Sequence, residues 1–221
     1  MIPFVNIHTH HLGNNDEEIV LKNIITLKDN QTHIIGNYSV GIHPWYINEE
    51  HVEEQFMALQ SLAFSPACLA LGECGLDKLR GPNINLQQVV FIRQINLAIK
   101  TNKPLVVHCV HAFDKLLSII KKYNNKAIFL VHGFNGNIQI AEQLLKQGVY
   151  LSFGKALLNG KNEKLKIIFK QMPLDKVFLE NDDSTTPIYR IYEAAAQIKN
   201  CNLNVMKEVI FVNYKKVFLH E

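Results

Sequence analysis

Eight short apolar runs are spread along this chain, and they limit its fold more than any other feature. They read "FVNIH" (4–8), "NIITL" (23–27), "YSVGI" (38–42), "CLALG" (68–72), "PLVVH" (104–108), "AIFLVH" (127–132), "VYLSF" (149–153) and "KVFLE" (176–180). Runs of this length, several rich in β-branched residues, suit parallel strands buried on both faces. Segments of helical period lie between several of them. In "FIRQINLAIK", Phe91, Ile92, Ile95, Ala98 and Ile99 share one face, and Arg93, Gln94, Asn96 and Lys100 the other. Phe113, Leu116, Leu117 and Ile120 repeat the pattern. Ile138, Ala141 and Leu145 form another stripe ahead of Gly148, and "NVMKEVIFVNYKKVF" reads as a closing helix. This alternation predicts an α/β fold, a TIM (β/α)8 barrel, with an open doubly wound sheet as the alternative. Only about ten residues separate "NIITL" from "YSVGI", too few for a full crossover helix, so the second βα unit is expected to be shortened.

Length and composition bound the remaining choices. With 221 residues, 48% apolar and 19% charged, the chain is expected to bury one core, in a single domain over 1–221. A net charge of +3 gives no global signal for a polyanion partner and leaves a local basic face open. No apolar run reaches the length of a membrane span, and no charged and then apolar leader opens the chain. Cys68, Cys74, Cys109 and Cys201 form no CxxC pair. They read as reduced thiols, which leads to the expectation of a cytoplasmic protein without a cysteine zinc site.

Histidines and carboxylates recur where the strands end. His8 and His10 close the first strand, and His43 follows the third in "GIHPW". Glu73 follows the fourth in "LGECGLD", His108 and His132 end the fifth and sixth, and Asp182 follows the eighth in "FLENDD". Barrel enzymes collect their chemistry at that end of the strands. Side chains two residues apart on a strand point the same way, so His8 and His10 can face one ion together. Imidazole with carboxylate favours zinc, manganese or similar first-row ions over calcium. A pair of ions needs a shared ligand, which a carboxylate such as Glu73 supplies. Divalent ions lower the pKa of coordinated water to about 7, and Asp182 would take its proton. Taken singly, each of these side chains could equally be a packed or capping residue, but the recurrence at successive strand ends points to a metal centre.

The motifs resemble those of the TatD family of metal-dependent hydrolases, within the amidohydrolase superfamily. "NIHTH" resembles its D-x-H-x-H, "VGIHPW" its G-x-H-P, "LGECGLD" its G-E-x-G-L-D and "KPLVVH" its P-x-x-x-H. "VHGFNG" resembles its H-x-F-x-G, "LENDDS" its E-T-D-x-P, and "VNYKKVF" its closing N-x-x-x-x-F. The resemblance runs nearly end to end and implies a barrel holding two divalent ions (zinc, manganese or magnesium). It implies one ion on His8, His10, Glu73 and Asp182, and another on Glu73, His108 and His132. It further implies catalytic roles for Asp182, as general base, and for Glu73, with substrate binding by His43. The substrate implied is DNA or an oligonucleotide, with no membrane partner. Lys155, Lys161, Lys164, Lys166 and Lys170 offer phosphate contacts or a solvated helix face; Trp45 and Phe134 offer base stacking, with loop packing beside Pro44 as the alternative for Trp45.

The chain departs from the family pattern in places. Asn6 stands where Asp is common, and Asn181 stands for the Thr of E-T-D. Val110 and His111 replace an Arg and an Asp, and His111 is read either as compensating for the loss or, the favoured reading, as a cap for the helix that follows. Loss of that Arg leaves open an alternative in which the same site opens an amide, lactone or other carbonyl substrate. A protein that binds metal or partners with little catalysis is the reading from a different class.

Overall fold

The computed structural model describes residues 2–11, 17–28 and 34–221. Its strands are β1 (Phe4–Thr9), β2 (Glu18–Ile25), β3 (Tyr38–Gly41), β4 (Cys68–Asp77), β5 (Leu105–Val110), β6 (Phe129–Val131), β7 (Tyr150–Phe153) and β8 (Val177–Leu179). They form one sheet in chain order, β1 to β8. The β1–β2, β3–β4, β4–β5, β5–β6 and β7–β8 pairings are all parallel. The helices are α1 (Val52–Ala63), α2 (Ile84–Thr101), α3 (Phe113–Tyr123), α4 (Ile138–Lys146), α5 (Glu163–Gln171), α6 (Ile188–Lys199) and α7 (Leu203–Tyr214), followed by a π-helical turn at Lys215–Leu219. This is the strand order of a (β/α)8 barrel, as the sequence predicts. Among the described residues no helix lies between β2 and β3, in keeping with a shortened second unit; residues 29–33 of that connection lie outside the described set.

Three local differences from the sequence reading have physical reasons. Strand β2 starts at Glu18 rather than Asn23, because Glu18 and Lys22 interrupt its apolar run while the backbone continues extended. Strand β4 continues to Asp77, and its glycines are steric requirements. A Cβ on Gly72 would lie 2.2 Å from the Val106 carbonyl oxygen, and one on Gly75 2.1 Å from that of His108. Both glycines also adopt φ of +131° and +138°, which side chains disfavour. Gln94, assigned above to the polar face of its helix, is 0% exposed. Its amide pairs with both backbone groups of Ile42, at 2.8 Å to the N–H and 3.0 Å to the carbonyl. Seven residues earlier on α2, two turns away, Gln87 does the same for Asp77, at 2.8 Å and 2.9 Å. One helix therefore clamps the ends of β3 and β4 through two buried amides.

Backbone contacts divide the chain into two compact units, Met1–Lys22 with His132–Glu221, and Asn23–Val131. The first unit packs Phe153 against Phe134 and Phe169, and Phe178 against Tyr150 and Phe218. Tyr192 is buried there, and its hydroxyl donates to the Val5 carbonyl and accepts from the Val5 N–H at 2.9 Å and 3.0 Å. Strand β1 meets the segment after β8 in this unit, where Asp182 N–H donates to the His8 carbonyl and His10 N–H to the Asp182 carbonyl, both at 3.1 Å. The second unit buries Val40, Ile42, Phe56, Leu59, Leu71, Phe91, Ile95 and Val107. No helix among the described residues is long and apolar enough to cross a membrane.

Candidate metal-binding site

Strand ends deliver all seven residues singled out by the sequence to two clusters, one per unit. In the first unit, His8, His132 and Asp182 offer donor atoms that all lie within 4.8 Å of one another. The Asp182 carboxylate stands 3.5 Å from His8 Nε2 and 3.6 Å from His10 Nε2. The His8 and His132 rings lie 4.3 Å apart by centroid, and the His8 and His10 rings 5.5 Å. Asp182 adopts a left-handed backbone, φ +53°, fixed by the two backbone hydrogen bonds that tie it to β1.

In the second unit, His43, Glu73 and His108 satisfy the same distance test. Glu73 Oε1 lies 2.9 Å from His43 Nε2 and 3.0 Å from His108 Nδ1. Its other oxygen accepts from the Asn23 amide at 3.2 Å, and its backbone N–H donates to Asn23 Oδ1 at 2.8 Å. His43 Nδ1 accepts the Trp45 backbone N–H at 3.1 Å. A ring nitrogen that accepts carries no proton, so His43 bears its proton on Nε2 and points a donor, not a lone pair, at Glu73. His108 Nε2 faces Asp77 Oδ2 at 3.0 Å, and the same oxygen accepts the Trp45 indole N–H at 2.6 Å. Burial alone would push the Asp77 carboxyl up. Hydrogen bonds from Trp45, His108 and Leu79 outweigh it and hold this group below the usual carboxylate range.

Sequence reasoning missed three side chains that hold these clusters. Asn23 orients Glu73, Asp77 backs His108, and Glu180 backs His132. Glu180 Oε1 lies 3.3 Å from His132 Nδ1 and accepts the Gly133 N–H at 2.8 Å. Asp77 and Glu180 sat inside the quoted motifs, and a strand-end carboxylate one side chain from a histidine is the signal that could have flagged them. Other expectations need correction. Phe134 is 2% exposed and belongs to the core, where it cannot stack a base. His111 is not a helix cap, because the N-cap of α3 is Ala112 with no side-chain bond. On α5, Lys164, Lys166 and Lys170 lie on the outer side of a helix that buries Leu165, Ile168 and Phe169, which is the solvated-face reading. Lys155 pairs with Asp183 at 2.9 Å. The family departures at Asn6 and Asn181 answer one another: the Asn6 amide donates to Asn181 Oδ1 at 2.9 Å, and Asn181 N–H donates to Asn6 Oδ1 at 3.2 Å. An amide at position 6 can donate and accept at once, which a carboxylate cannot.

The donor sets suit divalent first-row ions, since each cluster joins imidazole nitrogens to a carboxylate in a largely buried setting. Comparisons with known proteins agree. Residues 14–219 match a family model described as TatD related DNase. Over 147 residues the chain is 33% identical to an uncharacterized metal-dependent hydrolase of Buchnera aphidicola subsp. Baizongia pistaciae, covering 65% of this chain and 54% of that relative. The match thus spans about half of that relative's length. Among solved structures, the chain is similar to YjjV, a TatD homolog from Escherichia coli K12, with a TM-score of 0.80, 20% identity and coverage of 90% and 86% of the two chains. A TatD family hydrolase from Entamoeba histolytica matches with a TM-score of 0.78, 17% identity and 99% of each chain covered. The two structural likenesses bear on the fold.

Proposed function

Because the chain belongs to the TatD-related DNase family, we propose that it is a divalent-metal-dependent hydrolase acting on phosphodiester bonds of DNA or oligonucleotides. The observation that carries this reading is the donor chemistry at the strand ends, imidazole and carboxylate oxygen within 4.8 Å of one another in each unit. The ligands we assign are His8, His10, Glu73, His108, His132 and Asp182, for two ions of the zinc, manganese or magnesium class. When bound, such ions supply Lewis acidity and ionise water near neutral pH. Asp182 has a 39% exposed side chain and is the group able to receive a proton and pass it to solvent. His43 is the residue we assign to contact the substrate near the ions. Its turn also carries Trp45 and Tyr46, which line a cleft of about 800 Å³ together with Lys28 and Thr26. Arg80 covers the Trp45 ring at 4.0 Å and Lys28 the Tyr46 ring at 4.0 Å. Aromatic faces beside cations suit the bases and phosphates of a single strand. A cytoplasmic location is part of the proposal and rests on four free thiols, which reducing compartments maintain.

The test is manganese- or magnesium-dependent release of nucleotides from single-stranded DNA, with neutral esters and amides assayed in parallel. Release by the wild type that disappears in Glu73→Ala and Asp182→Ala is expected. A metal-loaded protein that leaves DNA intact and cleaves carbonyl substrates would overturn the assignment.

A further inference from the structure

Arg80 follows β4 and lays its guanidinium over the Trp45 ring, 4.0 Å from the centroid. The ring quadrupole holds a cation there and leaves its N–H groups free to bond elsewhere. Among the described residues that guanidinium has no hydrogen bond or ion pair. The backbone that carries it is nonetheless fixed on several sides. Asp77 Oδ1 accepts the Arg80 N–H at 3.1 Å, and the Gln87 amide donates to the Arg80 carbonyl at 3.1 Å. Asp77 Oδ2 accepts the Trp45 indole N–H at 2.6 Å, so one carboxylate sets both the ring and the residue stacked on it. Gly81 lets the loop lie against the Trp45 turn, since a Cβ there would fall 2.4 Å from the Pro44 carbonyl oxygen. The indole in turn meets His43 and His108 edge-on, at 4.9 Å and 5.5 Å between centroids. A rigid loop and a fixed platform therefore hold an arginine whose donors face no protein group.

We propose that Arg80 is a specificity-determining residue that grips a phosphate of the substrate other than the one being cleaved. This rests on the reading of the chain as a phosphodiesterase and adds what sets a nucleic acid strand apart from an isolated phosphodiester. His108 turns one nitrogen toward Asp77 and the other toward Glu73, so its ring lies between the Trp45–Arg80 stack and Glu73. The guanidinium is thus set back from the cleaved bond and meets a group further along the strand. Its planar fork of N–H donors matches two phosphate oxygens at once. Val110, at the end of the neighbouring β5, offers no cation, and its carbonyl accepts the Lys78 N–H at 3.0 Å where the Arg80 loop departs. Arg80 brings from β4 the positive charge that the end of β5 lacks. Lys28 lies over the adjacent Tyr46 ring at 4.0 Å, with the two aromatic rings 6.4 Å apart. As a point charge without a fork, it is the weaker second contact. A carbonyl substrate without a second anion would engage neither cation, so the arrangement selects for a strand.

Both loop bonds of Arg80 use its backbone, so its side chain can be changed without releasing the loop. Trp45 is the chain's only tryptophan, and its emission reports binding at this place. Two measurements on the full chain loaded with magnesium test the proposal. The first compares kcat/KM for single-stranded oligothymidylate with that for bis(p-nitrophenyl) phosphate, which has no second phosphate. Arg80→Gln is expected to lower the ratio of the two by about tenfold or more, the effect of losing a charge-assisted hydrogen bond, and Lys28→Gln by about threefold. Arg80→Lys keeps the charge without the fork and is expected to recover only part of the loss. The second measurement titrates Trp45 emission with oligothymidylate in the slow Asp182→Asn background. Adding Arg80→Gln is expected to weaken binding by about tenfold, and an uncharged methylphosphonate strand is expected to show no such difference. A ratio unchanged in Arg80→Gln, through no loss or through equal loss on both substrates, would overturn the proposal and leave Arg80 a packing residue. So would equal binding of the charged strand with and without Arg80. If the wild type cleaves neither substrate, the phosphodiesterase reading itself fails, and the emission titration still decides whether Arg80 holds a phosphate.

Discussion

In the second unit both oxygens of Glu73 and both oxygens of Asp77 accept hydrogen bonds from the protein, at 2.6–3.2 Å. In the first unit Asp182 stands 39% exposed, 3.5 Å and 3.6 Å from the imidazoles beside it, and His10 is 32% exposed. The two clusters use the same side-chain types and differ in how much surrounding structure holds them. Side chains whose rotamers are locked by hydrogen bonds on several sides are set in place before an ion arrives. An open carboxylate at a strand end is better suited to exchange protons with water. On the proposed function, the difference suits the Glu73–His108 side to retaining an ion and Asp182 to transferring a proton.

Substitutions can break that division. The largest effect is expected from Glu73→Ala, which removes a ligand and leaves the Asn23 and His43 donors facing nothing. Metal-dependent activity should fall below detection, and the metal-free protein should lose about 1–3 kcal/mol for each buried donor left unsatisfied, measured by urea unfolding. Asp182→Asn should reduce turnover by about 10²–10⁴. Its unfolding free energy should stay within about 0.5 kcal/mol of wild type, as for other solvent-facing substitutions. Equal destabilisation by both variants would erase the contrast between the clusters. Gly75→Ala tests whether packing as well as hydrogen bonding fixes the second cluster. Its Cβ would fall 2.1 Å from the His108 carbonyl at a φ of +138°, and a loss of about 3 kcal/mol in thermal unfolding is expected.

The smallest effect is a pH dependence. The folded pKa of Asp77 is depressed, so its contribution to stability is present above the ordinary aspartate value of about 3.9 and is lost as pH falls through the lower folded value. Metal-free wild type should therefore show an acid limb below about pH 4 that is shallower in Asp77→Asn, measured by urea unfolding from pH 5 to pH 2. Parallel acid limbs in the two proteins would remove Asp77 from the account.

Periodicity and residue type carried the strand order and the seven candidate residues that gather in the two clusters, because an apolar run ending in histidine or carboxylate marks both a buried strand and its chemical end. The supporting partners were not legible for physical reasons. A strand's period gives the side a residue faces and not the neighbour it meets, so Asp77 and Glu180 stood inside recognisable motifs without a role. Asn23 lay at the edge of a run whose start was misplaced by five residues, since Glu18 and Lys22 hid the extended backbone before it. Gln94 looked polar and therefore outward. Its burial depends on Ile42 offering an N–H and a carbonyl together, a tertiary fact with no sequence signature. Phe134 erred the other way, because an aromatic near a candidate ligand histidine reads equally as mouth or core.

An anomalous-scattering map from crystals grown with manganese tests the central claim most directly. The account predicts two peaks, bonded between them to His8, His10, Glu73, His108, His132 and Asp182, with the peak at Glu73 and His108 lost in Glu73→Ala. A map with no peak at any of these side chains, from protein saturated with the ion, would contradict it.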